Sequence, residues 1–135
     1  MTPTGLTKDA GWQIGVRKTL PVALEDAWNL LVSEEGLSIW LGGLPNFEPA
    51  EDAEYELPDG TRGKVTVFKQ ISHLRLTWYP PGWPRPSIIQ VRVIPSGKKK
   101  TVFAFHQEHL PSEEAREERR DFFKEAIAKI GKLAA

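Results

Sequence analysis

The chain has 135 residues, 18 Lys and Arg against 18 Asp and Glu, five Trp and no cysteine. That length suits one domain with its own core, the missing cysteines exclude disulfides, thiolate metal sites and thiol nucleophiles, and a formal charge of zero gives no general pull toward nucleic acid or anionic lipid. No apolar run approaches the ~20 residues needed to cross a bilayer, and the polar start, Met1 to Gly11, lacks the pattern of a signal peptide, so a cytoplasmic setting with no nucleic-acid or membrane partner is expected.

Residues 1–11 read as a flexible tail and residues 12–135 as a single domain. Trp12 to Leu20 alternates, with Trp12, Ile14, Val16 and Lys18 on one face, which predicts a strand that Pro21 ends. From Glu25 the spacing turns helical, and Ala27, Trp28, Leu31 and Val32 share a stripe. Ser33 caps a second short helix with Glu34 and Glu35 in its first turn, where the helix dipole favours acids. That helix carries Leu37 and Trp40 and stops at Gly42-Gly43.

Strand character is expected again from Asn46, with Ala53, Tyr55 and Leu57 on one face, up to the Pro58-Asp59-Gly60 turn. Gly63 to Ile71 reads as a strand with Val65 and Val67 inward. Leu74, Leu76 and Trp78 alternate in the next. Four prolines between Pro80 and Pro86 exclude that stretch from a sheet and make it a stiff hairpin loop around Trp83. Ile89, Val91 and Val93 mark the following inward face. After Pro95-Ser96-Gly97 come Thr101, Phe103, Phe105 and Gln107 on one face. Ser112 then caps a long helix whose stripe is Phe123, Ala126, Ile127, Ile130, Leu133 and Ala134. An amphipathic helix of that kind must bury its stripe, and the sheet is the large partner available.

This order, strand, two short helices, a run of hairpin-linked strands and a long helix, is that of the helix-grip fold of the START-like (SRPBCC) superfamily. It is an α+β arrangement with a curved antiparallel sheet of six or seven strands around the C-terminal helix. In detail the chain resembles the family of the activator of heat-shock-protein-90 ATPase. The likeness rests on Thr19-Leu20-Pro21-Val22 through Trp28, Leu37-Ser38-Ile39-Trp40-Leu41-Gly42, Asp59-Gly60 with Gly63-Lys64-Val65, His73 through Trp78, and Thr101 through Phe105. Two places differ: Phe122-Phe123 stands where the family usually has Gly-Trp, and Gln107 where a His or Glu often faces the cavity. The eukaryotic activator also carries a separate N-terminal domain, which the first eleven residues do not supply.

The resemblance implies a pocket between sheet and helix. By alternation its walls are Tyr55, Val65, Val67, Leu76, Trp78, Ile89, Val91, Phe103 and Phe105, with Phe123, Ile127 and Ile130 from the helix and Trp40 and Phe47 near the entrance. Apolar and aromatic walls with few polar groups suit a small apolar ligand; the same side chains also suit a filled core. Gln107 is the inward polar group, and backbone at the strand end is its expected partner. Trp83 is expected as a lid or partner-contact residue. His106 and His109 face opposite sides of a strand and cannot share a metal there unless a bulge intervenes, and neither metal nor cofactor is expected. No nucleophile elbow, phosphate loop or dinucleotide fingerprint occurs. The reading is a domain that binds a small hydrophobic molecule, without evident catalysis. A co-chaperone-type module with a chaperone or other protein as partner is the first alternative, and a polyketide cyclase or dehydratase-like enzyme the second.

Overall fold

In the computed structural model, residues 6–7, 11–43 and 47–134 are described. In chain order the elements are β1 (Leu6–Thr7), β2 (Gly11–Leu20), α1 (Leu24–Val32), α2 (Glu34–Trp40), β3 (Glu54–Glu56), β4 (Arg62–Lys69), β5 (His73–Trp78), β6 (Ser87–Pro95), β7 (Thr101–Leu110) and α3 (Glu113–Ala134). Seven strands form one sheet in the order β1-β2-β7-β6-β5-β4-β3, and every pairing is antiparallel. From β3 to β7 each strand pairs with its successor, as tight turns dictate. The exception is β2, which pairs with β7 and brings the two ends of the domain together. This is the expected helix-grip order.

The long helix α3 packs on β2 and β7 and against α1 and α2. Its start is fixed by Ser112, whose Oγ accepts the Ala115 N–H at 3.1 Å; Ser33 does the same for α2, accepting from Gly36 N at 3.0 Å. Gly36, in the first turn of α2, lies against the last turn of α1. A Cβ there would lie 1.9 Å from Leu30 O, so only glycine permits the approach. The core joins Trp28, Trp40, Phe103, Phe105 and Phe123 to the inward aliphatics of β5, β6 and β7. Burying each such side chain contributes roughly 1.5–3 kcal/mol.

The structure corrects five expectations about the fold. Leu6–Thr7, assigned to the tail, pair with Gly11 and Trp12, and β2 begins at Gly11. The rest of that tail and the last residue of the 12–135 domain lie outside the described residues, as does Asn46. From Phe47 to Ala53 the chain is not a strand, and only Glu54–Glu56 pair. Leu133, expected on the buried stripe of α3, is 41% exposed, beside Glu34, Glu35, Ser38 and Ile39 of α2.

Val67 is 36% exposed and lies outside the core. The register passes from Val65↔Leu76 to Val67↔Arg75, so β4 holds one extra residue there. Such a bulge reverses which face later side chains occupy. Phe68 takes the inward place and meets Trp28 edge-on, with ring centroids 5.6 Å apart. Trp40, expected near an entrance, is fully buried, donates Nε1–H to Leu31 O at 2.9 Å and packs against Phe105.

Candidate functional site

The sheet and α3 bring most of the expected residues into one interior. Tyr55, Leu76, Trp78, Ile89, Val91, Phe103, Phe105, Gln107, Phe123 and Ile127 are all buried. Phe105 and Phe123 stack at 5.1 Å with 18° between their planes, which ties β7 to α3. Phe47 is half-buried and tilts against Tyr55. The Tyr55 hydroxyl donates to Thr77 O, and burial pushes its pKa up. Gly63, paired with Tyr55 across β3 and β4, gives that hydroxyl its passage.

Tyr55 and Gln107 do not share a partner. Gln107 belongs to a directed chain of side chains through the interior. Arg119 Nε donates to Gln107 Oε1 at 2.8 Å. Gln107 Nε2 donates to Ser87 Oγ at 2.9 Å, and Ser87 Oγ donates to Trp78 O at 2.6 Å. Each donor has its acceptor, so the amide has one orientation. The expected backbone partner for Gln107 is replaced by two side chains.

Arg119 was not among the expected residues. It is buried on the inner stripe of α3, four residues after Ala115 and four before Phe123. Extending the Phe123 stripe back by one turn lands on it, and a charged residue at that place was the available signal. Its guanidinium carbon lies 3.9 Å from the centre of the Trp78 ring, 4.4 Å from Phe122 and 4.8 Å from Phe123. Aromatic faces attract such a cation, yet no carboxylate pairs with it among the described residues. Burial lowers its pKa to about 10, with Tyr55 and then Glu118 acting in the opposite direction. At neutral pH it is still charged.

Two donors near this chain have no hydrogen-bond partner among the described residues, Arg119 Nη2 and Trp78 Nε1. Both residues line a hollow of about 340 Å³ at one end of the interior, walled by Leu41 and Gly42 after α2, Leu57, Pro58 and Asp59 before β4, and Phe122 of α3. Trp83, on the loop from Pro80 to Pro86, meets Trp78 edge-on at 5.4 Å with 78° between the planes. It is half-buried against the core. A second hollow, about 540 Å³, lies over β3, β4 and β5, with Glu54, Glu56, Arg62 and Lys64 around it.

On the other face of β7, His106 meets Gln13 Oε1 through Nε2 at 2.9 Å. Glu108 accepts from Arg75 Nη2 at 3.1 Å. The first contact joins the neighbouring strands β7 and β2, the second reaches from β5 past β6 to β7, and both lie away from the interior. Among the described residues no helix is long and apolar enough to cross a membrane.

No protein-family profile and no curated protein matches this sequence. Solved structures do. Protein MLL2253 from Mesorhizobium loti superposes with a TM-score of 0.76 at 18% identity, over 90% of this chain and 95% of its own. CalU16 from Micromonospora echinospora gives 0.76 at 17% identity, over 90% of this chain and 73% of its own. PFC0360w, an HSP90 activator from Plasmodium falciparum, gives 0.61 at 16% identity, over 73% and 74%. The chain shares the helix-grip fold of these structures. At these identities the likeness concerns architecture, and the sites must be argued from this chain's own residues.

Proposed function

We propose that this domain binds a small hydrophobic molecule in the hollow between the sheet, the end of α2 and α3. The observation that carries the reading is the 340 Å³ hollow over Trp78 and Arg119, a size within the range of roughly 300–1,000 Å³ common for ligand pockets. Leu41, Leu57 and Phe122 offer apolar contact, and Trp78 an aromatic floor. Trp83 touches Trp78, a wall of that hollow, from a proline-stiffened loop, and this contact supports a lid role. Phe103, Phe105 and Phe123, with Trp40, Tyr55, Ile89, Val91 and Ile127, belong to the same core as Trp78, and Phe47 packs against it.

The test is a thermal-shift and Trp-fluorescence screen of small apolar and aromatic compounds. A binder selective for the folded state raises the melting temperature by mass action. A saturable hit that weakens in Trp83→Ala supports both the pocket and its lid. A hit untouched by Trp83→Ala keeps the pocket and removes the lid. Silence across the library refutes the reading.

A second reading is a protein-interaction module of the co-chaperone kind, supported by the likeness to an HSP90 activator. Retention of HSP90 on the immobilised domain, with stimulation of its ATPase, would favour it; absence of both would remove it.

A further inference from the structure

We propose that the ligand of this hollow carries a carboxylate, held by Arg119 Nη2 and Trp78 Nε1. The inference deepens the ligand-binding reading and rests on it. Arg119 is buried, charged at neutral pH, and paired with no carboxylate among the described residues. One of its donors, Nε, is spent on Gln107, and the chain through Gln107 and Ser87 to Trp78 O holds the guanidinium in place. Nη2 is left over, and so is Trp78 Nε1. Two donor groups with no acceptor among the described residues, on side chains that touch through a 3.9 Å cation–ring contact, call for an acceptor from outside.

The shape of that acceptor follows from the setting. A carboxylate offers two oxygens on one carbon, one for the charged Nη2 donor and one for the indole N–H. Among the residues that wall the hollow, Arg119 is the one cation and Asp59 is an anion whose Oδ1 accepts from Thr61 N. A single positive charge beside a negative one suits a monoanion better than a dianionic phosphate. The other walls, Leu41, Leu57, Pro58, Trp78 and Phe122, suit an aromatic or alicyclic body. Both donor atoms are closed off in this structure, and Phe122, half-buried over the guanidinium, is the ring that a carboxylate would have to displace to reach Nη2.

The experiment compares acids with neutral twins of the same shape on the full chain: benzoate with benzamide, and 2-naphthoate with 2-naphthamide. Melting temperature and the Trp78 indole N–H resonance, assigned through Trp78→Phe, are the readouts, with inorganic phosphate as a further arm. The expected result is saturable binding of an acid at least about tenfold tighter than its amide, a shift of the Trp78 resonance, and loss of the preference in Arg119→Met. Equal binding of acid and amide, survival of the preference in Arg119→Met, or a response to phosphate with none to the acids would overturn the proposal. The acid–amide comparison in the unmutated protein decides even if Arg119→Met does not fold. A neutral hit in the broader screen with no response to the acids removes the carboxylate and keeps the pocket; no response in either removes both.

Discussion

Gln107→Leu tests the interior chain most directly. Leucine nearly matches glutamine in length, so packing against Ile14 and Ile89, its neighbours across β2 and β6, is little disturbed. Arg119 Nε, bonded to Gln107 at 2.8 Å, becomes a third donor without a partner in that region, beside Arg119 Nη2 and Trp78 Nε1. Ser87 still donates to Trp78 O, so the other end of the chain loses no obligatory bond. A hydrogen bond to a charged group contributes about 1.5–3 kcal/mol, and that sets the expected loss. For a domain of this size it lowers the melting temperature by about 5–15 °C.

Arg119→Met alone leaves Gln107 Oε1 without its donor, at a cost of about 1–3 kcal/mol, offset in part by removal of a buried charge. The double variant has neither orphan. Urea unfolding followed by Trp fluorescence, with unchanged m-values, gives the four free energies. The double variant should be more stable than the sum of the two single effects by about 1.5 kcal/mol or more. Additivity within about 0.5 kcal/mol would refute the claim that these two side chains depend on each other.

Gly63→Ala should be poorly folded: its Cβ would meet Thr77 O at 1.9 Å and the Tyr55 hydroxyl at 2.5 Å. Because the nearer clash is with backbone, adding Tyr55→Phe should not restore the melting temperature, and a full rescue would contradict this account. Ser112→Ala removes the cap on α3 and should cost about 1 kcal/mol in urea unfolding. Burial, opposed by Glu108 and reinforced by Arg75, holds His106 below its ordinary pKa of 6.5. On acidification below that value the unfolded chain takes up a proton that the folded chain resists, so stability falls there and is unaffected well above it. His106→Gln should therefore lose less stability than the unmutated protein between about pH 7 and 5, and an NMR titration should place His106 below 6.5; a normal titration would refute the assignment.

Much of the architecture follows from local chemistry. Period-two alternation from Leu74 to Phe105 assigned inward faces that the sheet keeps, because a strand's side chains must alternate whatever lies beside it. Ser33 and Ser112 marked helix starts through bonds made within one turn. The resemblance supplied the order of elements and the pairing of sheet and helix. What escaped were features that depend on a second segment. The bulge that turns Val67 outward is a relation between β4 and β5, and nothing in Val65-Thr66-Val67 announces it. Trp40 lies deep because α2 packs against α3, a contact between segments about eighty residues apart.

The site divides in the same way. Alternation alone put Gln107 inside, since its side of β7 is set by Phe103 and Phe105. The sequence by itself therefore determined that this polar group would face the core. Which group would answer it was decided only when α3 crossed the sheet and set Arg119 against Gln107, Trp78 and Phe123. On a helix read alone, Arg119 is one more charge in a run of Glu and Arg. A charged side chain is identified as buried by what surrounds it in space, and that surrounding comes from β5, β7 and α3 together, after the chain has folded.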